Sequence, residues 1–357
     1  MSASTGDAAL GERLAARTLE LVDVPSESRH EAAVVARVGE VLRAGGVAVR
    51  DLGDTCLYAG PPVRGGARVL LAGHLDTVPA QGNLPGARED GLVRGLGASD
   101  MKGACAVMVE LALAGAPAGC LFFGREELPF GDSALTPLLG RARDELAAEL
   151  AVVMEPTDNE LHAGCLGNLN ATWTFRGRSG HSARPWLADN AIERAAAGVA
   201  ALAAHPPYPH TIDGLEFVEV ATVTKVSGGI ALNVVPDEAV CSVNFRYAPG
   251  RSPEEAEARL HELCGGHGEL VVDGNAPSGT VAVTAPLAQA LIAAGDLKVA
   301  PKQAWTPVAE LGAAGIAAVN FGPGATAQAH RRDEHVEVAA LVRAYRVLER
   351  FLREAAA

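Results

Sequence analysis

Nowhere does this chain reach the roughly 18 uninterrupted apolar residues that a membrane-spanning helix needs, which argues against an integral membrane protein. The segment Met1–Ala8 is polar and small, without the apolar stretch of a secretory signal, so export is not expected either. Cysteine is sparse and unpaired. Cys56, Cys105, Cys120, Cys165, Cys241 and Cys264 are widely spaced, none stands in a Cys-x-x-Cys pair, and several lie inside apolar runs. They read as reduced core thiols of a cytosolic protein. Basic charge is short as well: 30 Lys and Arg against 43 Asp and Glu leave a formal charge of −13, which argues against nucleic acid or an anionic membrane as partner. It does not exclude an anionic substrate, because bound divalent cations and a few arginines set the local field. No internal repeat is visible, and alanine-rich stretches such as 195–204 have helical period rather than linker character.

What the chain does have is bulk and a repeated pattern. With 357 residues, 48% hydrophobic and 20% charged, it can bury at least one full core, and its length suggests two domains. The apolar runs 67–73, 120–123 and 150–154 are continuous rather than alternating, as expected of strands buried on both faces. Each is followed at once by acids or imidazoles: His74-Leu75-Asp76, Arg125-Glu126-Glu127 and Glu155-Pro156-Thr157. Ser99-Asp100-Met101-Lys102-Gly103 and Ala329-His330-Arg331-Arg332-Asp333-Glu334 complete a set of five such segments. A chain that repeatedly delivers such groups to strand ends is building an active site at one edge of a sheet.

The residue types then suggest the chemistry. His74 and Asp76, two apart in extended backbone, share a face, so one imidazole nitrogen can bind metal while the Asp76 carboxylate takes the other N–H. Asp100 precedes a helix expected over 101–113, where its carboxylate is electrostatically well placed and can bridge two cations. Glu126 and Glu127 diverge in direction, one for metal and one for the substrate water. Glu155 and His330 supply further ligands. Nitrogen and oxygen donors without thiolate favour zinc or a similar divalent ion in a two-metal hydrolase.

The joint set, with the segments Gly180–Ile192, Ala304–Thr306 and Ala318–Gly324, resembles the M20 family of co-catalytic zinc amidohydrolases and peptidases, and in particular its succinyl-diaminopimelate desuccinylases of actinobacterial type. The resemblance implies two zinc ions, with cobalt or manganese as substitutes. His74, Asp100 and Glu155 would hold one, and Asp100, Glu127 and His330 the other. It implies that Asp76 orients His74, that Glu126 is the general base, and that His181 lies in a lid domain and reaches the active site of a partner subunit in a homodimer. Arg246, Asn233, Arg184, Thr306 and Gly322 fall at substrate-binding positions of the family. The implied reaction is hydrolysis of the amide of an N-acyl amino acid, N-succinyl-LL-2,6-diaminopimelate foremost, in the cytoplasm. An acetylornithine deacetylase, another aminoacylase or a carboxypeptidase is the alternative within the family, and a non-catalytic binding protein the alternative outside it. Pro307 stands where many relatives carry an acid after the threonine, so the acyl group is left open.

The expected fold is α/β, a mostly parallel sheet flanked by helices, formed by 1–170 and 280–357, with an antiparallel α+β lid and dimerisation domain inserted at 171–279. Within the insert the patterns predict strands at 171–176, 215–225, 238–246 and 269–272 and helices at 188–204 and 253–264. His162, His205, His210, His261, His267 and His335 lack comparable context and read as solvated or packing residues. Gly322-Pro323-Gly324 reads as a tight turn.

Overall fold

The computed structural model describes residues 5–63 and 67–356. Residues 1–4 of the segment read for export therefore lie outside the described residues. The chain divides into two compact units, one of residues 1–164, 280–301 and 306–357, the other of residues 165–279 and 302–305.

The first unit is built on an eight-stranded, mostly parallel sheet. Its order is Val49–Gly53, Cys56–Ala59, Ala118–Phe123, Val69–His74, Leu150–Val153, Ala318–Asn320, Leu161–Ala163 and Val299–Pro301. The four strands from Ala118–Phe123 to Ala318–Asn320 run parallel to one another and are buried along their whole length, which is why their sequences are continuous apolar runs. Helices Thr5–Val22, Gly103–Leu113 and Val338–Ala356 pack on one another. Nine of the eleven residues of Gly103–Leu113 are buried, as befits a helix apolar on every side.

The second unit holds a five-stranded antiparallel sheet, ordered Tyr208–Ile212, Leu215–Gly228, Glu238–Tyr247, Gly167–Arg176 and Glu269–Ala276. Burial alternates strictly along Gly167–Arg176 and Glu238–Tyr247. One face, with Trp173, Phe175, Val243 and Phe245, joins Leu202 and Leu260 of helices Ala191–Ala203 and Pro253–Cys264 in a core; the other face is polar. Asn190 caps the first helix by accepting the Ile192 N–H at 3.0 Å, and Ser252 with Glu255 forms a capping box on the second.

Three expectations are corrected here. The helix expected from Met101 begins at Gly103, because Asp100 and Met101 have non-helical backbone. The second unit starts at Cys165, ahead of the expected 171, since the paired strand extends back to Gly167. Residues 302–305, expected with the first unit, join the second: Gln303 bonds to the backbone of Glu216 and Val218, and Trp305 Nε1 donates to the Pro277 carbonyl at 3.0 Å.

Candidate metal centre

His74 is the last residue of a buried strand and pairs with Phe123, the last residue of the parallel strand beside it. Glu126 and Glu127 follow that neighbour, and Glu155 follows the parallel strand on the other side. Parallel pairing in register thus sends imidazole and carboxylates out at one edge, where apolar strand gives way to turns.

His74 is 1% exposed. Its Nε2 lies 3.2 Å from Asp100 Oδ1 and 3.8 Å from Glu155 Oε1. Its Nδ1 faces the main-chain oxygen of Asp76 at 3.1 Å, with the Asp76 carboxylate further away at 3.5 Å. The second imidazole nitrogen is thus shared between the carboxylate expected there and the main-chain oxygen of the same residue, the carbonyl being nearer. The Asp76 carboxylate is otherwise engaged: Oδ1 accepts the Glu126 N–H at 3.1 Å, and Oδ2 accepts the Glu127 N–H at 3.2 Å and the Ser28 hydroxyl at 2.7 Å. It is a fully buried clamp on the turn that carries both glutamates.

On the other side of Asp100, His330 Nε2 lies 3.7 Å from Oδ2 and 3.0 Å from Glu127 Oε2. Asp100 therefore presents one oxygen to each imidazole. Donor atoms of His74, Asp100 and Glu127 lie within 4.8 Å of one another. His330 itself adopts φ +62°.

The protonation preferences follow from this crowding. Burial alone would lower the His74 imidazole, but hydrogen bonds with Asp100 and Asp76 and the charge of Glu126 raise it well above its ordinary value. Burial would raise the Asp76 carboxyl, yet His74, Ser28 and the Glu126 N–H hold it below the usual range. Burial, reinforced by the negative charge of Glu155, pushes Glu126 well above a normal carboxyl. His330 is raised to about 9 by its hydrogen bond to Glu127.

Three residues that matter here carried no assignment from the sequence. Glu334, 2% exposed, accepts the backbone N–H groups of Gly97, Ser99 and Asp100, each at 2.9 Å, and so holds the segment that bears Asp100 out of helical geometry. Its place four residues after His330 was the available signal. Ser28 gave none. Lys102, fully buried, donates Nζ–H to the Val24 carbonyl at 2.9 Å, and burial lowers it to about 8.

Gly322 and Thr306 also lie in the first unit. A Cβ at Gly322 would stand 2.3 Å from the Met154 carbonyl oxygen and 2.4 Å from that of Glu155, so only glycine permits this approach to the Glu155 segment. The Gly322 N–H donates to Thr157 Oγ1 at 2.9 Å. Thr306 is buried just ahead of helix Val308–Ala313.

The remaining expected residues belong to the second unit. His181 and Asn233 meet on a two-stranded ladder, where His181 pairs with Val234 and the Ser182 N–H donates to the Asn233 carbonyl at 3.0 Å. The Ala183 N–H donates to His181 Nδ1 at 3.0 Å, which in the neutral ring leaves Nε2 as the protonated, outward nitrogen. Arg184, exposed, donates its N–H to the His181 carbonyl. Arg246 stands near the end of strand Glu238–Tyr247, half-buried; burial lowers its guanidinium, and among the described residues no carboxylate pairs with it. Of the histidines read as solvated or packing residues, His210 contacts the buried Glu219 at 3.1 Å, a packing role.

The model of peptidase family M20/M25/M40 matches residues 70–354. The chain belongs to this family. An M20 chain of this length also has relatives that match it nearly end to end. It is 38% identical over 342 residues to the DapE protein of Mycobacterium tuberculosis, covering 94% of this chain and 96% of that one. It is 36% identical over 353 residues to the succinyl-diaminopimelate desuccinylase of Corynebacterium glutamicum, covering 94% and 95%. Among solved structures, aminopeptidase PepT of Bacillus cereus matches with a TM-score of 0.77 at 21% identity, covering 97% of this chain and 99% of that one. The YXEP protein of Bacillus subtilis, described as a dinuclear metal binding peptidase of the M20 family, matches with a TM-score of 0.67 at 16% identity, covering 97% and 98%. Both structures share the fold.

Proposed function

We propose that this M20 protein hydrolyses the amide bond of an N-acyl amino acid, N-succinyl-LL-2,6-diaminopimelate, to succinate and LL-2,6-diaminopimelate, with two zinc ions. The observation that carries the reading is Asp100, whose two oxygens face His74 and His330 separately while Glu155 flanks the first imidazole and Glu127 the second. Each half offers one nitrogen and two carboxylates, with Asp100 common to both, and this donor chemistry fits a pair of divalent cations. Identity to the desuccinylase of C. glutamicum over nearly the whole chain supports the substrate.

Cations held there supply Lewis-acid polarisation of the substrate carbonyl and make water a better acid. The side chains do the rest. Glu126, fixed through its own N–H to Asp76 and kept proton-receptive by burial, takes the proton of the attacking water and delivers it to the departing amine. His181, with Nε2–H facing outward, donates to the oxyanion of the tetrahedral intermediate, and Arg246 binds a substrate carboxylate. Asn233, Arg184, Thr306 and Gly322 complete the substrate-binding set. The first unit is the catalytic domain, and the second a lid through which a homodimer forms and His181 serves the partner's site.

The six cysteines are free and buried, and among the described residues no helix is long and apolar enough to cross a membrane. We place the enzyme in the cytoplasm on the strength of those reduced thiols.

The test is a side-by-side assay of the zinc-loaded protein on N-succinyl-diaminopimelate, N-acetylornithine and a set of dipeptides. The expected result is a kcat/KM for the succinyl substrate at least about 10²-fold above the others, the discrimination that an unpaired polar group in a binding site readily produces. Preference for acetylornithine would move the chain to the deacetylases, and no turnover of any acyl amino acid by a protein carrying two zinc ions would make it a binding protein.

A further inference from the structure

The polar face of the sheet in the second unit carries three asparagines that converge on one arginine. Register sets Asn244 opposite Asn170 and Arg246 opposite Asn168, and residues two apart on a strand share a face. Arg246 Nε–H donates to Asn244 Oδ1 at 3.0 Å. The Asn244 amide nitrogen then donates to Asn168 Oδ1 at 2.7 Å and to Asn170 Oδ1 at 2.8 Å.

The direction of this chain of hydrogen bonds is forced. An arginine can only donate, so the Asn244 atom that meets Nε is the carbonyl oxygen. Its amide group must then point away, and with two hydrogens it satisfies two carbonyl acceptors. Reversing any amide would set donor against donor or oxygen against oxygen. Nε is the only nitrogen of Arg246 bonded within the protein among the described residues, which leaves the paired terminal nitrogens for a ligand.

We propose that Asn244, braced by Asn168 and Asn170, is a positioning residue that fixes the plane of the Arg246 guanidinium and so reserves its terminal edge for the two oxygens of a substrate carboxylate. The inference rests on the reading of Arg246 as the carboxylate-binding group. A guanidinium tied at Nε keeps one orientation, and a planar fork held in place loses less entropy when it closes on a carboxylate.

The experiment measures kcat and KM with N-succinyl-diaminopimelate, and the Kd of the same compound by calorimetry in the inactive Glu126→Gln background. Arg246→Ala should raise KM and Kd by about 10²-fold, and Asn244→Leu by about 10-fold with kcat changed less than about 3-fold, the pattern of a group that binds ground state and transition state alike. In the Arg246→Ala background, Asn244→Leu should add nothing, because its effect runs through the arginine. A role confined to sheet stability would instead give additive effects. If Asn244→Leu raises Kd equally with and without Arg246, or leaves Kd unchanged while Arg246→Ala raises it, the positioning role is overturned and the reading of Arg246 stands. An Arg246→Ala protein with unaltered KM and Kd overturns both. Should Asn244→Leu fail to fold, Asn168→Ala and Asn170→Ala decide: each should raise Kd by about 3-fold, and an unchanged Kd in both refutes the brace.

Discussion

In the first unit His74 ends, and Glu126, Glu127 and Glu155 follow, parallel strands that are apolar on both faces, whereas in the second Arg246 lies on one face of an antiparallel sheet whose other face holds the core, and His181 and Asn233 meet on a separate two-stranded ladder. The first arrangement has one place for a polar group, the edge where the strands stop, and acids delivered there by separate strands must converge. His74, Asp76 and Glu155 are buried as a result. The second arrangement spreads polar groups over a wide surface, where Asn168, Asn170 and Asn244 satisfy one another, while His181 and Asn233 on their own ladder stay exposed. A converged, buried set of carboxylates is a site for cations before any substrate arrives. A spread polar face becomes a site only when a ligand or a second chain covers it.

The largest expected effect tests the first half of that contrast. Stripping divalent cations with a chelator should abolish turnover and destabilise the fold, by about 2.7 kcal/mol relative to protein with cation at 100 times its Kd, and zinc should restore both. Metal analysis should return two ions per chain. Full turnover in a protein shown to contain no cation would break the reading of the first unit.

Next in size is Glu126→Gln, which should keep both ions and lose about 10²–10⁴ in kcat, the usual consequence of removing a general base. Glu127→Gln should lose an ion instead. The opposite outcome, an ion lost only with Glu126, would exchange the two roles.

The second unit is probed by His181→Ala, expected to lower kcat by about 10²–10³ as loss of an oxyanion donor does. If His181 serves the partner's site, mixing His181→Ala with Glu126→Ala subunits restores one intact site per heterodimer, about one in four of all sites under random exchange. Activity that stays absent after verified exchange would confine His181 to its own subunit and erase the proposed difference between the units.

The smallest effect concerns support. Glu334→Ala leaves the buried N–H groups of Gly97, Ser99 and Asp100 without their acceptor, which should cost on the order of 3 kcal/mol in denaturant unfolding and weaken binding of one cation. Stability equal to wild type would show that Asp100 is positioned without it.

The sequence was most legible where local pattern and burial coincide. Continuous apolar runs at 67–73, 120–123 and 150–154 announced buried strands, which the structure places at 69–74, 118–123 and 150–153, and the acids after them announced a site at the strand ends. It was least legible where hydrogen bonds cross long separations. The Asp76 carboxylate turned out to hold the backbone of Glu126 and Glu127, fifty residues on, and not chiefly the imidazole two residues before it. The helix expected at Met101 starts late because Glu334, more than 230 residues away, captures the N–H groups ahead of it.

By itself, then, the order of residues determined which acids and imidazoles follow the apolar strands, and the α/β class, because hydrophobic period and donor type are properties of short segments. Tertiary structure alone decided which oxygen of Asp100 faces which histidine, which ring nitrogen of His181 is left to donate, and which asparagine holds Arg246. Those are matters of a few tenths of an ångström between residues far apart in sequence, and only the packed sheet fixes them.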